Sequence, residues 1–170
     1  MELTLITESQ IQNRIKELAN EIREDYTDNS VPTFVCILRG SFMFFSDLIK
    51  ELNLNVKVEF LQISSYQNST TQKELILKTV INNVDTNSTL FLVDDIIDTG
   101  NTFKEVCRIY KEMGVKNIKT ISLICRNASK SKVDYYGFEI GNEWIFGYGL
   151  DLNGLRRNLK EIKYIEQNID

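Results

Sequence analysis

The stretch Val93-Asp94-Asp95-Ile96-Ile97-Asp98-Thr99-Gly100-Asn101-Thr102 concentrates the residues best suited to chemistry. Two adjacent carboxylates can accept hydrogen bonds from a sugar diol or hold a hydrated divalent cation. The run from Thr99 to Thr102 suits the opposite charge. Its small residues admit close backbone approach, the first N–H groups of a following helix lack partners, and two hydroxyls can donate, so an anion such as phosphate fits. Acids for hydroxyls beside donors for phosphate describe a ribose 5-phosphate. The plainer alternative is that Asp94, Asp95 and Asp98 are loop acids favoured by the helix macrodipole.

Composition narrows what else is open. The 170 residues contain no histidine, which excludes Ser-His-Asp and Cys-His catalysis, His-containing zinc sites and an imidazole base. Acid–base work falls to carboxylates, Lys, Tyr or Cys. A net charge of −4, with 42% hydrophobic and 26% charged residues, describes one globular domain over residues 1–170 rather than a disordered or fibrous chain. The acidic excess argues against a nucleic-acid partner. Cys36, Cys107 and Cys125 have no C-x-x-C spacing and sit among apolar neighbours, as buried thiols of a reducing compartment would. The start lacks a signal-peptide layout and no apolar run approaches the roughly 18 residues of a membrane span. A cytoplasmic protein with no membrane partner is expected.

The elements that must position these residues follow from periodicity. Thr7 and Gln10 form a capping-box pattern ahead of Ile11, Ile15, Leu18 and Ile22, which share one helical face. A buried strand is expected over 33–38, then Arg39-Gly40, then a helix capped by Ser41 and running to Leu52. Strands are expected at 56–63 and 75–81, separated by a polar run over 64–73. A short buried strand at 89–93 leads into a loop over 94–101, a helix over 102–113 ended by Gly114, and a strand over 119–125. Short strands at 135–138 and 144–148 read as an appended lobe before a charged tail. Buried strands alternating with helices predict an α/β fold, a mainly parallel twisted sheet flanked by helices, whose ligands sit beyond the carboxyl ends of the strands.

The acidic segment resembles the phosphoribosyl pyrophosphate signature of the type I phosphoribosyltransferases, and its Asp-Ile-Ile-Asp-Thr-Gly core is similar to the hypoxanthine-guanine branch. Ile37-Leu38-Arg39-Gly40-Ser41-Phe42-Met43 resembles that family's pyrophosphate loop and Ser64-Ser65-Tyr66 its catalytic flap. Gly137-Phe138-Glu139-Ile140 and Trp144 to Asp151 resemble its purine-binding region. Four motifs in the family's order span nearly the whole chain.

The resemblance implies purine salvage: displacement of pyrophosphate from C1 of phosphoribosyl pyrophosphate by N9 of hypoxanthine or guanine, giving IMP or GMP. It assigns Asp98 as general base toward purine N7, and Asp94 and Asp95 to the ribose hydroxyls. Thr99, Gly100, Asn101 and Thr102 go with the phosphoribosyl group, and Arg39, Gly40 and Arg157 with pyrophosphate. Ser65 and Tyr66 belong to the flap; Arg126, Trp144, Ile145 and Asp151 surround the purine. Asp151 is also the implied protein ligand of Mg2+, and a homodimer or homotetramer is implied. From the residues alone Arg156 could replace Arg157, Trp144 could be a core side chain, and Asp98 a helix cap.

Several residues depart from the family pattern. Arg39 and Arg126 stand where lysine is usual, Gly141 where proline is common, and residues 67–73 lack the usual flap glycines. In the family the peptide before position 39 can be cis. A cation at Arg126 would favour a 6-oxo over a 6-amino group, because a guanidinium donates and does not accept. Two rival readings share parts of this pattern: an RNA-binding regulatory protein on the same scaffold, and a receiver-type signalling domain. The receiver lacks its phosphoacceptor Asp, since the strands ending at Leu38, Ile63 and Cys125 offer none.

Overall fold

In the computed structural model, residues 1–67, 73–79, 84–126 and 132–166 are described. The elements are β1 (Glu2–Ile6), α1 (Glu8–Asp25), β2 (Thr33–Leu38), α2 (Phe42–Leu52), β3 (Lys57–Gln67), β4 (Lys73–Leu77), β5 (Leu90–Ile97), α3 (Asn101–Glu112), β6 (Ile118–Arg126), β7 (Tyr135–Ile140), β8 (Ile145–Phe146) and β9 (Ile162–Ile165). The main sheet has the order β4-β3-β2-β5-β6-β7. Its strands run parallel except β4, which pairs antiparallel with the end of β3.

The central strands are apolar throughout because both faces are covered. On β2, Phe34 and Cys36 meet Ile11, Ile15, Leu18 and Ile22 of α1 and Phe44 and Leu48 of α2, while Val35 and Ile37 join Phe103, Val106 and Tyr110 of α3 on the other face. Helix α1 starts as its sequence requires, with Thr7 and Gln10 closing a reciprocal capping box. Arg14 donates to the Gly137 and Tyr136 carbonyls, both at 2.9 Å, tying α1 to β7.

Four expectations are corrected. Ser41 makes no side-chain cap; it is buried and its hydroxyl donates to the Ile37 carbonyl. Strand β3 runs on through Ser65 and Tyr66 to Gln67, so the polar run begins as a β-arm paired with β4 (Ser65↔Leu75, Tyr66↔Glu74). Residues 68–72 and 80–83 lie outside the described set, as do the middle of the expected flap and the end of the strand expected at 75–81. The stretch expected to open the appended lobe, β7, is instead a parallel strand of the main sheet. The lobe itself is an antiparallel sheet of order β1-β9-β8, joining both ends of the chain. None of the three cysteines is in a disulfide among the described residues; Cys36 and Cys125 are buried and Cys107 is partly exposed.

Candidate active site

The elements that bear the expected site residues end on one side of the main sheet. Strand β5 reaches further than β2: its pairing with β2 stops at Cys36↔Val93, while its pairing with β6 continues through Asp94↔Ser122 to Ile97↔Cys125. The two adjacent acids therefore lie in a strand and not in the loop expected over 94–101. One side of that strand is held by β6 and the other is released from β2. The loop shrinks to residues 98–100, and helix α3 begins at Asn101.

The acid pair is held close against the backbone. Asp94 accepts from the Asp95 N–H and Asp95 from the Ile96 N–H, each at 2.9 Å. Burial, and then the neighbouring Asp95 charge, push Asp94 well above the usual carboxylate range. Burial raises Asp95 too, opposed by its hydrogen bonds with Asp94 and the Ile96 N–H and by the Arg157 charge. Two such carboxylates titrate as a unit that takes up a proton readily. Hydroxyl donors or a cation would relieve them.

Helix α3 supplies the complementary charge. Gly100, at φ +79, turns the chain into the helix. The first helical bond runs from Lys104 N–H to the Gly100 carbonyl at 3.0 Å, so the preceding N–H groups have no acceptor within the helix. Thr99 Oγ1 accepts weakly from Asn101 N–H at 3.4 Å. The hollow here, about 90 Å³, is lined by Asp94 and residues 96–103. Lys132 adds a cation that sequence pattern did not suggest: its Nζ donates to the Thr99 carbonyl at 2.9 Å.

Asp98 is largely exposed, with 72% of its side chain accessible, and its Oδ1 lies 3.6 Å from Arg126 Nε. The terminal nitrogens of Arg126 are turned to backbone: Nη1 donates to the Gly141 carbonyl and Nη2 to the Glu143 carbonyl at 3.1 Å. Trp144, the next residue, is 64% exposed, whereas Ile145, Phe146 and Tyr148 are buried. A core role for Trp144 is thereby removed. One guanidinium thus joins the third acid to the loop bearing the exposed indole.

On the opposite side, the Leu38–Arg39 peptide is cis and Arg39 is exposed. Gly40 is pressed between two neighbours. A Cβ there would fall 1.5 Å from Asp95 Oδ2, and a Cβ on Gly149 would fall 2.1 Å from the Gly40 carbonyl oxygen. Such contacts leave room for glycine alone and bring the loop after β2 against the acid pair and the 147–151 turn. The two neighbouring arginines separate. Arg157 donates to Gly149 O and Asp151 Oδ1, both at 2.7 Å. Arg156, at φ +67, pairs with Glu2 at 2.7 Å and lies over the Phe146 ring, away from Asp151.

Asp151 also accepts from Gly154 N–H at 2.8 Å. Both oxygens keep a lone pair, since a carboxylate can accept about four hydrogen bonds. Among the described residues no group of three or more His, Cys, Asp or Glu converges to hold a metal unaided. A lone carboxylate beside an anion site fits Mg2+, which keeps most of its shell as water and substrate phosphate oxygens.

Residues 6–153 match the phosphoribosyl transferase domain family. The chain belongs to the phosphoribosyltransferase family. Its relatives include the hypoxanthine-guanine phosphoribosyltransferase of Bacillus subtilis, 32% identical over 95% of this chain and 92% of that protein. The hypoxanthine-guanine phosphoribosyltransferase of Staphylococcus epidermidis is 34% identical over 97% and 94%. A hypoxanthine-guanine phosphoribosyltransferase structure from Bacillus anthracis superposes with a TM-score of 0.89 at 32% identity, covering 96% of this chain and 98% of that one. The Trypanosoma cruzi hypoxanthine phosphoribosyltransferase, solved with its product IMP, gives 0.86 at 30% identity over 96% and 93%. This phosphoribosyltransferase is thus an enzyme by kinship, and the RNA-binding alternative finds no support among these relatives.

Proposed function

We propose that this phosphoribosyltransferase works in purine salvage, moving the 5-phosphoribosyl group of phosphoribosyl pyrophosphate to N9 of a 6-oxopurine. The bond from C1 to the pyrophosphate oxygen breaks, the bond from C1 to N9 forms, and the purine's imidazole proton leaves. The observation that carries the reading is the convergence, at the carboxyl ends of β5 and β6, of an acid pair, a helix N-terminus, an exposed third acid and an exposed indole.

In this reading the α3 N-terminus, with Thr99, Gly100, Asn101 and Thr102, takes the 5-phosphate. Asp94 and Asp95 accept from the ribose hydroxyls, whose donors discharge the crowding that raises this pair. Asp98 receives the proton at purine N7, a charge-stabilising role that typically contributes ~10² to 10⁴-fold. Trp144 stacks on the purine, with roughly 1 to 3 kcal/mol expected from such stacking. Ile145 presents backbone groups to the purine edge. Arg39, the Gly40 backbone and Arg157 receive pyrophosphate; Arg157 is favoured over Arg156 by its contact with Asp151. Mg2+ held by Asp151 and substrate oxygens would offset the charge of the leaving pyrophosphate. Ser65 and Tyr66 lie on the β3–β4 arm, where a flap would cover the sugar.

Cysteines without disulfides among the described residues suit a reducing cytoplasm. Among the described residues no helix is long and apolar enough to cross a membrane. Exposed Phe42, Val58 and Phe60 give the apolar surface that a homodimer or homotetramer would use.

The test is a product assay with phosphoribosyl pyrophosphate, Mg2+ and each of hypoxanthine, guanine, xanthine and adenine. IMP and GMP formation with stoichiometric pyrophosphate release is expected. Comparable kcat/KM for adenine and hypoxanthine would overturn the 6-oxopurine assignment.

A further inference from the structure

Arg126 stands where the resemblance leads one to expect a lysine that donates to the purine 6-oxo group. Its side chain is only 18% exposed, and its two terminal nitrogens are committed to the carbonyls of Gly141 and Glu143. A guanidinium is a rigid planar fork able to span two acceptors; an ammonium is a point donor. The Glu143 carbonyl also belongs to the peptide plane that contains the Trp144 nitrogen. Because that plane is stiff, holding its oxygen orients the backbone of Trp144 directly.

The turn needs this support. Glu143 folds back on Gly141 so closely that a Cβ on Gly141 would lie 3.2 Å from both carboxylate oxygens. Its Oε2 is buried with no hydrogen-bond partner among the described residues. Two carbonyl oxygens and a buried carboxylate oxygen thus gather in one turn, and the guanidinium is the cation seated on it. A proline at position 141 would be crowded by Glu143, and a lysine at 126, with its donors on a single nitrogen of a flexible stem, lacks the fork whose two separate terminal nitrogens each hold one carbonyl. The two departures therefore act as one arrangement.

We infer that Arg126 is a positioning residue that clips the 141–143 turn and so sets the distance between the Trp144 stacking face and Asp98, rather than a group that reads the purine. This rests on the proposed purine site. The remaining guanidinium nitrogen, Nε, is the one that faces Asp98, at 3.6 Å, so the clip spans both sides of the space assigned to the base.

The test uses Trp144, the sole tryptophan of the chain. Its fluorescence anisotropy is measured in ligand-free wild-type, Arg126→Lys and Arg126→Gln proteins, alongside kcat and KM for hypoxanthine and for phosphoribosyl pyrophosphate. Both variants are expected to lower the Trp144 anisotropy and to raise KM for hypoxanthine about tenfold, the scale of one lost charge-assisted hydrogen bond. KM for phosphoribosyl pyrophosphate should stay within about twofold, and kcat should fall less than KM rises. Wild-type anisotropy and hypoxanthine KM in Arg126→Lys would overturn the clip and return Arg126 to the role of a cation facing the 6-position. The clip is overturned equally if only Arg126→Gln loses affinity. Absence of turnover in the wild-type enzyme would overturn the functional reading instead, while the ligand-free anisotropies would still decide the clip.

Discussion

The acid-bearing edge of β5 and the lobe around Trp144 face the same space but are built in opposite ways. Residues 94–102 are contiguous, carried by the end of β5, which beyond Val93 pairs with β6 alone, and by the first turn of a helix, so local sequence specifies their chemistry and their order. The lobe is assembled from distant pieces. Gly40 meets Gly149, Arg126 holds the 141–143 turn, Arg157 holds Asp151, and β1 closes on β9 from the far end of the chain. A substitution in the first region should alter chemistry with little change in shape. One in the second should alter shape and, through it, affinity.

The largest effect is expected at the acid edge. Asp98→Asn preserves volume and removes the charge beside the purine, so kcat should fall by ~10² to 10⁴ while the Kd for phosphoribosyl pyrophosphate is retained. Single-turnover kinetics with an independent binding titration would separate the two. A wild-type kcat would leave Asp98 as an exposed loop acid beside Arg126, since Gly100 and not Asp98 caps α3, and dissolve the contrast.

Next comes the junction of the two regions. Gly149→Ala places a methyl 2.1 Å from the Gly40 oxygen at a backbone φ of +97, so the 147–151 turn must shift. Overpacking of this kind costs about 1 to 3 kcal/mol before the left-handed strain is added. Thermal unfolding should show a Tm lower by several degrees, with weakened binding of both pyrophosphate and purine. An unchanged Tm and unchanged affinities would mean that the two loops are not held together.

A smaller loss is expected where the lobe is anchored. Tyr148 donates to Asp47 Oδ2 at 2.5 Å, and Gln12 donates to the same oxygen at 3.0 Å. Burial pushes the Asp47 carboxyl up, but its hydrogen bonds with Lys50, Tyr148 and Gln12 outweigh that and leave it below the usual range. A depressed folded-state pKa gives stability that is present above the ordinary carboxylate value and fades as pH falls through the folded value. Tyr148→Phe should therefore cost about 1 to 2 kcal/mol at neutral pH, with the deficit shrinking in acid, as followed by urea denaturation across pH. A deficit independent of pH would assign the loss to packing alone.

The smallest effect, and one of opposite sign, belongs to the acid pair. Asp94 and Asp95 are raised by burial, so their contribution favours the fold at low pH and is lost as pH rises through their folded values. Asp94→Asn should raise Tm by a few degrees at neutral pH, where ~1 kcal/mol corresponds to roughly 2–4 °C. The gain should disappear near pH 4, where ordinary aspartates also protonate. Activity should fall as stability rises, and a Tm that drops instead would show that the pair is not a burden on the fold.

The same contrast explains what could be read from the sequence. Strand β2 was legible to the residue because both its faces are covered, leaving an uninterrupted apolar run. The α1 cap was legible because Thr7 and Gln10 act within one turn. The end of β5 was not: hydropathy stops at Val93, but pairing with β6 carries the strand through the acids to Ile97. Strands β1 and β9 carry no local signal, because each is short and finds its partner more than 150 residues away. At the site, the types and order of the acids pointed to ribose and phosphate. The separation of Arg156 from Arg157, the seat of Lys132 and the grip of Arg126 depend on where distant backbone carbonyls and carboxylates come to rest, which no local pattern encodes.

The division of labour between the two regions is tested most directly by titrating the Trp144 emission with IMP, AMP and ribose 5-phosphate. Ribose 5-phosphate should bind at the acid edge, competing with IMP, without altering the indole. IMP should quench it by stacking, and AMP should bind more weakly. Equal quenching by ribose 5-phosphate and IMP, or tight IMP binding with no change in Trp144 emission, would contradict the account.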